Sequence, residues 1–428
     1  MLAPGSGLLF DTRMPDETGP VAGALVAASV STATGPLPVR GPELGRITES
    51  RDGAVAWADG RITFVGPADE LPGAAGEPEV LEGRAIVPGF VDAHTHLPFV
   101  GWRADEFEAR LAGVSYRDLH GEGGGILRSA RMLAAASDDE VLAFCVPLVR
   151  EMAAHGTTAL ELKTGYGLSV EAELRQARLA RRLADLAPQT CVVTLLAGHA
   201  VPPGMERPAW VRTACEELIP AAAAEGLVDA VDVFVEDIAF SVDDLAAVTE
   251  AASAVGLPAR CHADQLGASG AAEAAAALRA RSADHLNHVS PEGVAALGAA
   301  EATAAVLLPT STLALGATPP PARALVEAGA TIVVASDFNP GTSATLSMPE
   351  AVAIACALYR LTPAEALTAT TANPAWVLGL GDDLGTLSVG ARADLLVLDG
   401  DGFRDVPYRP GHDPVLRTYI AGRRVDER

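Results

Sequence analysis

The order of apolar and polar stretches predicts a (β/α)8 barrel carrying a small β-sandwich domain formed by both ends of the chain. Two observations carry that expectation. Eight short apolar stretches, at residues 86–93, 157–163, 191–198, 230–236, 258–262, 282–285, 303–308 and 331–336, alternate with longer Ala-, Leu- and Arg-rich stretches of helical character. That is the order that builds a parallel sheet, and eight alternations favour a closed barrel over an open doubly wound sheet. The second observation is that β-like pieces separated by glycine and proline occur on both sides of this middle region.

With 428 residues the chain has room for a barrel of roughly 250 to 350 residues plus a second unit. The expected division is a barrel over 86–383 and a composite β domain from 1–85 and 384–428. Its β-like pieces are 54–57 and 62–65 on one side, and 385–387, 393–398 and 418–425 on the other. Residues 19–45 read as a loop or local insertion. Among the helices, 138–155 opens with Asp138, Asp139 and Glu140 and stops at Gly156, the acidic start and glycine stop that suit the helix dipole and a left-handed terminus. There is no fixed-period repeat.

Composition narrows the function. Hydrophobic residues at 49% against 20% charged exclude a disordered chain. A formal net charge of -24 repels phosphate backbones and anionic membrane surfaces, which points away from nucleic acid and membrane and toward a small-molecule substrate. An anionic substrate would then need a local cation. Cys145, Cys191, Cys215, Cys261 and Cys356 lack metal-finger or redox spacing and read as reduced thiols of a cytoplasmic protein. The start of the chain carries no basic segment followed by an apolar run, and no apolar stretch reaches about 18 residues.

The strongest local signal is Val91-Asp92-Ala93-His94-Thr95-His96 at the end of the first candidate strand. Side chains alternate along a strand, so His94 and His96 project to one side, about 7 Å apart, and can share a cation. His262 and His285 end the fifth and sixth candidate strands, Asp337 follows the eighth, and His199 follows the third. In a (β/α)8 barrel these ends meet at one mouth. Taken singly each histidine is an ordinary packed residue; the set is not. His120, His155, His288 and His412 show no such placement.

The middle of the chain, roughly 86–384, resembles the imidazolonepropionases of the amidohydrolase superfamily. The likeness runs through Pro88-Gly89-Phe90-Val91-Asp92-Ala93-His94-Thr95-His96, Gly113-Val114-Ser115-Tyr116, Gly123-Gly124-Gly125-Ile126, Lys163-Thr164-Gly165-Tyr166-Gly167-Leu168, Gly198-His199-Ala200-Val201-Pro202-Pro203, His262-Ala263-Asp264-Gln265, Ala283-Asp284-His285 and Asp337-Phe338-Asn339-Pro340-Gly341. His-x-His marks only the superfamily, whereas the glycine-tyrosine block and Asp-Phe-Asn-Pro-Gly are more specific. The resemblance implies a barrel of amidohydrolase type in which His94, His96, His262 and Asp337 hold one divalent metal, zinc or iron. His199 and Gln265 would touch an imidazolone ring, with Arg103, Tyr116, Tyr166, Asn339, Gly341 and Thr342 around the substrate, and Asp337, His285 and Gln265 would form the catalytic set. Arg103 would supply the cation that an anionic substrate needs, gripping a carboxylate through two hydrogen bonds. Superfamily habit adds a homodimer.

The implied reaction is hydrolysis of the cyclic amide 4-imidazolone-5-propanoate to N-formimidoyl-L-glutamate in histidine catabolism. Three neutral imidazoles and a carboxylate leave a coordination position at which a water becomes acidic enough to attack near neutral pH. Asp337 could move its proton and His285 could stabilise the oxyanion. The alternative is a metal-dependent purine or pyrimidine deaminase of the same superfamily. Such enzymes place a proton-shuttling glutamate where this chain has Gln265, and a carboxamide exchanges no proton near neutrality. A dihydroorotase-like two-metal enzyme would need a bridging lysine after the fourth strand, where Val235-Glu236-Asp237 stands instead. A non-enzymatic barrel would be expected to have lost ligands, and all four are present.

Overall fold

The computed structural model describes residues 21–73, 77–114, 118–119 and 123–425. In chain order the strands are β1 (Gly23–Ala33), β2 (Ile47–Ala58), β3 (Arg61–Pro67), β4 (Glu79–Pro88), β5 (Phe90–Asp92), β6 (Thr157–Lys163), β7 (Thr190–Gly198), β8 (Ala230–Val235), β9 (Ala259–Ala263), β10 (Ser282–His285), β11 (Ala304–Leu307), β12 (Thr331–Val334), β13 (Leu395–Leu398), β14 (Val415–Ile420) and β15 (Arg423–Arg424). They form two sheets. β5 to β12 make an eight-stranded sheet in sequence order, every neighbouring pair parallel. β1 to β4 and β13 to β15 make a seven-stranded mixed sheet in the order β15-β14-β13-β4-β1-β2-β3.

The predicted barrel strands match closely, with one division. Residues 86–93 are not one strand: β4 ends at Pro88 in the terminal sheet and β5 begins at Phe90 in the barrel. Proline lacks the donor to continue a ladder, and a Cβ on Gly89 would collide with the Thr158 side chain, so the chain crosses from sheet to sheet at a glycine. Residues 19–45 are a second correction, since β1 occupies 23–33 in the middle of the terminal sheet, antiparallel to β2 and parallel to β4. Its last five residues are all buried, so no polar alternation marks it, and its Gly, Ala and Ser content reads as loop. Residues 385–387, taken as β-like, form no strand, yet Leu387 is buried in the terminal-sheet core with Leu25, Val55, Trp57, Leu81, Ile86 and Leu395. One core thus joins both ends of the chain.

Helices pack outside the barrel. The one at Asp138–Ala154 starts at Ser137, whose hydroxyl accepts from the Glu140 amide while the Glu140 carboxylate accepts from the Ser137 amide. The outward strand residues, such as Leu160, Leu162, Val193, Leu195, Val231 and Val233, join the large core between strands and helices.

β5 and β12, the first and last barrel strands, share no regular ladder. They are tied instead by a parallel bridge between Thr95 and Phe338, by the His96 amide donating to the Phe338 carbonyl at 2.8 Å, and by Asp92. The Asp92 carboxylate accepts from the Ser336 amide at 3.0 Å and from the Ser336 hydroxyl at 2.5 Å. Both residues are fully buried, so cutting this clasp leaves an unsatisfied carboxylate oxygen. Ser336→Ala is expected to destabilise the protein by about 1–3 kcal/mol, read as a lower midpoint in urea unfolding. An unchanged midpoint would mean that Asp92 does not close the barrel.

Candidate active site and metal centre

Strand ends deliver the site. His94 and His96 follow β5, His199 follows β7, His262 lies in β9, His285 ends β10 and Asp337 follows β12. All six are buried. His285 and Asp337 adopt left-handed backbone angles, with φ of 79° and 54°. Such conformations cost energy for residues with a side chain and gather where a site demands a particular direction.

Oδ1 of Asp337 lies 3.2 Å from Nε2 of His96 and 3.6 Å from Nε2 of His94. The ring centroids of His94 and His262 are 4.5 Å apart, and those of His262 and His285 are 5.3 Å apart. Two overlapping groups of donor atoms, His94 with His96 and Asp337, and His94 with His262 and His285, each fall within 4.8 Å. Nε2 of His94 and Nε2 of His262 are buried without a hydrogen-bond partner. An unpartnered buried nitrogen is costly, and imidazole lone pairs gathered beside a carboxylate are the donor set of a divalent cation. The residues present therefore fit a metal.

Electrostatics agree. Burial holds His94 and His199 well below the ordinary histidine range, lowers His96, and brings His285 down to about 3. The rings stay neutral, with lone pairs to give. Burial by itself would raise Asp337, but the His96 hydrogen bond and the neighbouring His285 outweigh it and hold the carboxyl below its usual value.

One cavity is lined by His96, His262, His285 and Asp337 together with Arg103, Tyr166, His199, Gln265, Asn339, Thr342, Ile126 and Phe234. Sequence reasoning had singled out all of these but Ile126, which it quoted only as part of a motif, and Phe234. Arg103 is 3% exposed, its Nε and Nη1 have no hydrogen-bond partner, and among the described residues the carboxylate it approaches is that of Glu106, at 3.7 Å. A buried guanidinium held this loosely suits an anion from outside. Gly341 does not line the cavity but backs Arg103, because a Cβ there would run into the guanidinium. Arg110 donates to the Gly341 carbonyl from both terminal nitrogens at 3.1 Å. The Asn339 amide organises its own loop: Oδ1 accepts from the Gly341 and Thr342 amides at 2.9 and 2.7 Å, and Nδ2 donates to the Asp337 carbonyl at 2.7 Å.

Tyr166 sits in a loop fastened by the helix that follows it. The Glu173 carboxylate accepts from the amides of Gly165, Gly167 and Leu168, and the Gln176 side chain accepts from the Tyr166 amide. Nδ1 of His199 donates to the Gly165 carbonyl at 3.0 Å, and its ring stacks on His96 with ring centroids 5.3 Å apart. The turn bearing Gln265 is fixed by Asp264, which binds the Ser269 and Ala272 amides, and by Glu236, which binds the Leu266 amide. Sequence reasoning missed Glu173 and Gln176, and it quoted Asp264 and Glu236 only as parts of longer motifs. His155 and His412 pair with Asp413 and Asp399, and neither they nor His288 lines the cavity. Tyr116 and His120 lie outside the described residues.

A parallel barrel whose strand ends gather imidazoles around a buried carboxylate is the design of a metal-dependent amidohydrolase. A model of the amidohydrolase family matches residues 85–425, and the chain belongs to that family. Within it the chain is a member of the imidazolonepropionases. It is 45% identical over 404 residues to the imidazolonepropionase of Rubrobacter xylanophilus, covering 93% of this chain and 96% of that one. It is 46% identical over 361 residues to that of Ectopseudomonas mendocina, covering 83% and 88%. A zinc-bound adenosine deaminase from Xanthomonas campestris shares the fold, with a TM-score of 0.68 at 19% identity over 94% of this chain and 92% of its own.

The backing of Arg103 by Gly341 can be tested directly. Gly341→Ala should displace the guanidinium and raise KM for substrate at least about tenfold, with metal content unchanged, since a buried charge-assisted contact is worth about 1.5–3 kcal/mol. Unchanged KM would separate Arg103 from substrate binding.

Proposed function

We propose that this imidazolonepropionase-family chain hydrolyses 4-imidazolone-5-propanoate to N-formimidoyl-L-glutamate, with one zinc or iron ion held by His94, His96, His262 and Asp337. The observation that carries this reading is the shared cavity: a loosely partnered, buried Arg103 guanidinium opens into the same space as the imidazole and carboxylate cluster. A ligand satisfying both ends has a short acidic arm and a polarisable ring carbonyl.

The bound metal would supply Lewis acidity to the ring carbonyl and lower the pKa of water. The protein does the rest. Arg103 binds the propanoate arm, and Tyr166, His199 and Gln265 flank the ring. Asn339 and Gly341 shape the loop that presents Thr342 and backs Arg103, and Tyr116 belongs to the same proposed set. As water adds to the ring carbonyl, a C–O bond forms and the ring C–N bond breaks. Asp337, ionised, takes the water's proton and passes it to the departing nitrogen, which restores the carboxylate. His285, neutral, can donate a ring N–H to the carbonyl oxygen as negative charge develops there. Gln265 can hold the ring but exchanges no proton, which weighs against a purine or pyrimidine deaminase.

The reaction's place would be histidine breakdown. A cytoplasmic enzyme fits the five free cysteines, and among the described residues no helix is long and apolar enough to cross a membrane. A homodimer is the expectation from the superfamily.

His262→Ala should lose metal and activity together; full metal occupancy in that variant would overturn the ligand set. Arg103→Ala should lower kcat/KM for imidazolone propanoate by roughly 30- to 700-fold while metal stays bound, as expected for a charge pair worth about 2–4 kcal/mol. Should the metal-loaded wild type leave imidazolone propanoate untouched yet deaminate guanine or cytosine, the deaminase reading replaces this one.

A further inference from the structure

Below the metal cluster the barrel interior holds a layer of five ionisable side chains that the reaction does not use. Glu161 and Lys163 project from β6, Asp232 from β8, Arg260 from β9 and Asp284 from β10, and each is 2% exposed or less. The Lys163 ammonium lies 2.6 Å from Asp232 and 2.9 Å from Glu161, and 4.0 Å from Asp284. The Arg260 guanidinium binds Glu161, donates to the Ala93 carbonyl at 2.8 Å and lies 3.5 Å from Asp284. Three carboxylates thus face two cations.

Two oxygens of this layer touch the cluster above. Oδ2 of Asp284 is hydrogen-bonded to Nδ1 of His94 at 2.6 Å, and Oδ2 of Asp232 approaches Nδ1 of His262 to 3.0 Å without the alignment of a hydrogen bond. These same two rings are the ones whose Nε2 atoms are buried without a partner. A carboxylate beside Nδ1 favours the tautomer with its proton there, which leaves the Nε2 lone pair for a cation and makes the ring a better ligand.

We propose that Asp284 and Asp232 are positioning residues for the metal, fixing His94 and His262 with Nε2 as the ligand atom, and that Lys163 and Arg260 balance the charge of the pair. The inference rests on the ligand set proposed above. Neither aspartate touches substrate. The competing explanation is a purely structural plug, in which the layer holds the barrel together and the imidazoles would bind as well without it.

The test is zinc affinity of the stripped full-length protein, measured against a chromophoric chelator for wild type, Asp284→Asn, Asp284→Ala, Asp232→Asn and Asp232→Ala, beside thermal unfolding of each stripped protein. Zinc binding should weaken about 10- to 100-fold in the alanine variants and less in the asparagine variants, whose amide oxygen can take the Nδ1 proton. That graded rescue is a readout that a plug would not give. A plug predicts lower unfolding temperatures with zinc affinity of the folded protein within about threefold of wild type, and that result overturns the proposal. Should an alanine variant fail to fold, the near-isosteric asparagine variant decides: unchanged zinc affinity there counts against the proposal. Retention of zinc by His262→Ala would sink the ligand set itself, a different failure from unchanged affinity in the aspartate variants.

Discussion

The buried charge layer across the barrel is the constraint on which the rest of this structure depends. Barrels of this kind are usually filled by layers of branched aliphatic side chains. Here Glu161, Lys163, Asp232, Arg260 and Asp284 take that place, each within reach of an opposite charge. Removing charges from water is expensive, and the cost is offset only where geometry satisfies every partner. The layer ties four strands together across the barrel interior: β6 and β8 through Lys163, β6 and β9 through Arg260, and β9 and β10 through Arg260 with Ser282. The apolar residues below it, including Val91, Ala159, Val306 and Val333, and the helix at Ala372–Val377 help keep it from water.

From that base the site can be read upward. The carboxylates of the layer meet two imidazoles, burial holds His94 well below the ordinary histidine range, and Asp337 brings a carboxylate to the Nε2 side of His94 and His96. Arg103 lines the same cavity and brings a cationic group to it in a strongly acidic chain.

Much of this was legible in the sequence, because strand periodicity and barrel topology act together. Eight apolar stretches mark the strands, and the rule that strand ends share one mouth gathers His94, His96, His199, His262, His285 and Asp337 from sequence alone. The charge layer left the same kind of trace. Leu160-Glu161-Leu162-Lys163 and Val231-Asp232-Val233 alternate strictly, and in a closed barrel the charged face can only point inward. What could not be read was set by long-range packing. β1 is buried along its last five residues and so shows no alternation. The left-handed turns at His285 and Asp337 belong to residue types that visit that region without advertising it. Gly341 looked like a substrate contact; its role as the space occupied by the Arg103 guanidinium depends on a contact across most of the barrel sequence.

The comparison with deaminases of the same fold shows where specificity resides. A barrel with a TM-score of 0.68 to this one serves adenosine deaminase at 19% identity, so neither the strands nor their order select the substrate. The differences must lie in what the loops bring over the mouth. In this chain the loop after β12 spends the Asn339 amide on its own turn, which fixes Gly341 against Arg103, while the loop after β6 is held by Glu173 and Gln176 and carries Tyr166 to the same cavity. In both loops backbone amides are satisfied by buried side chains, which bring Tyr166 and Arg103 to one cavity.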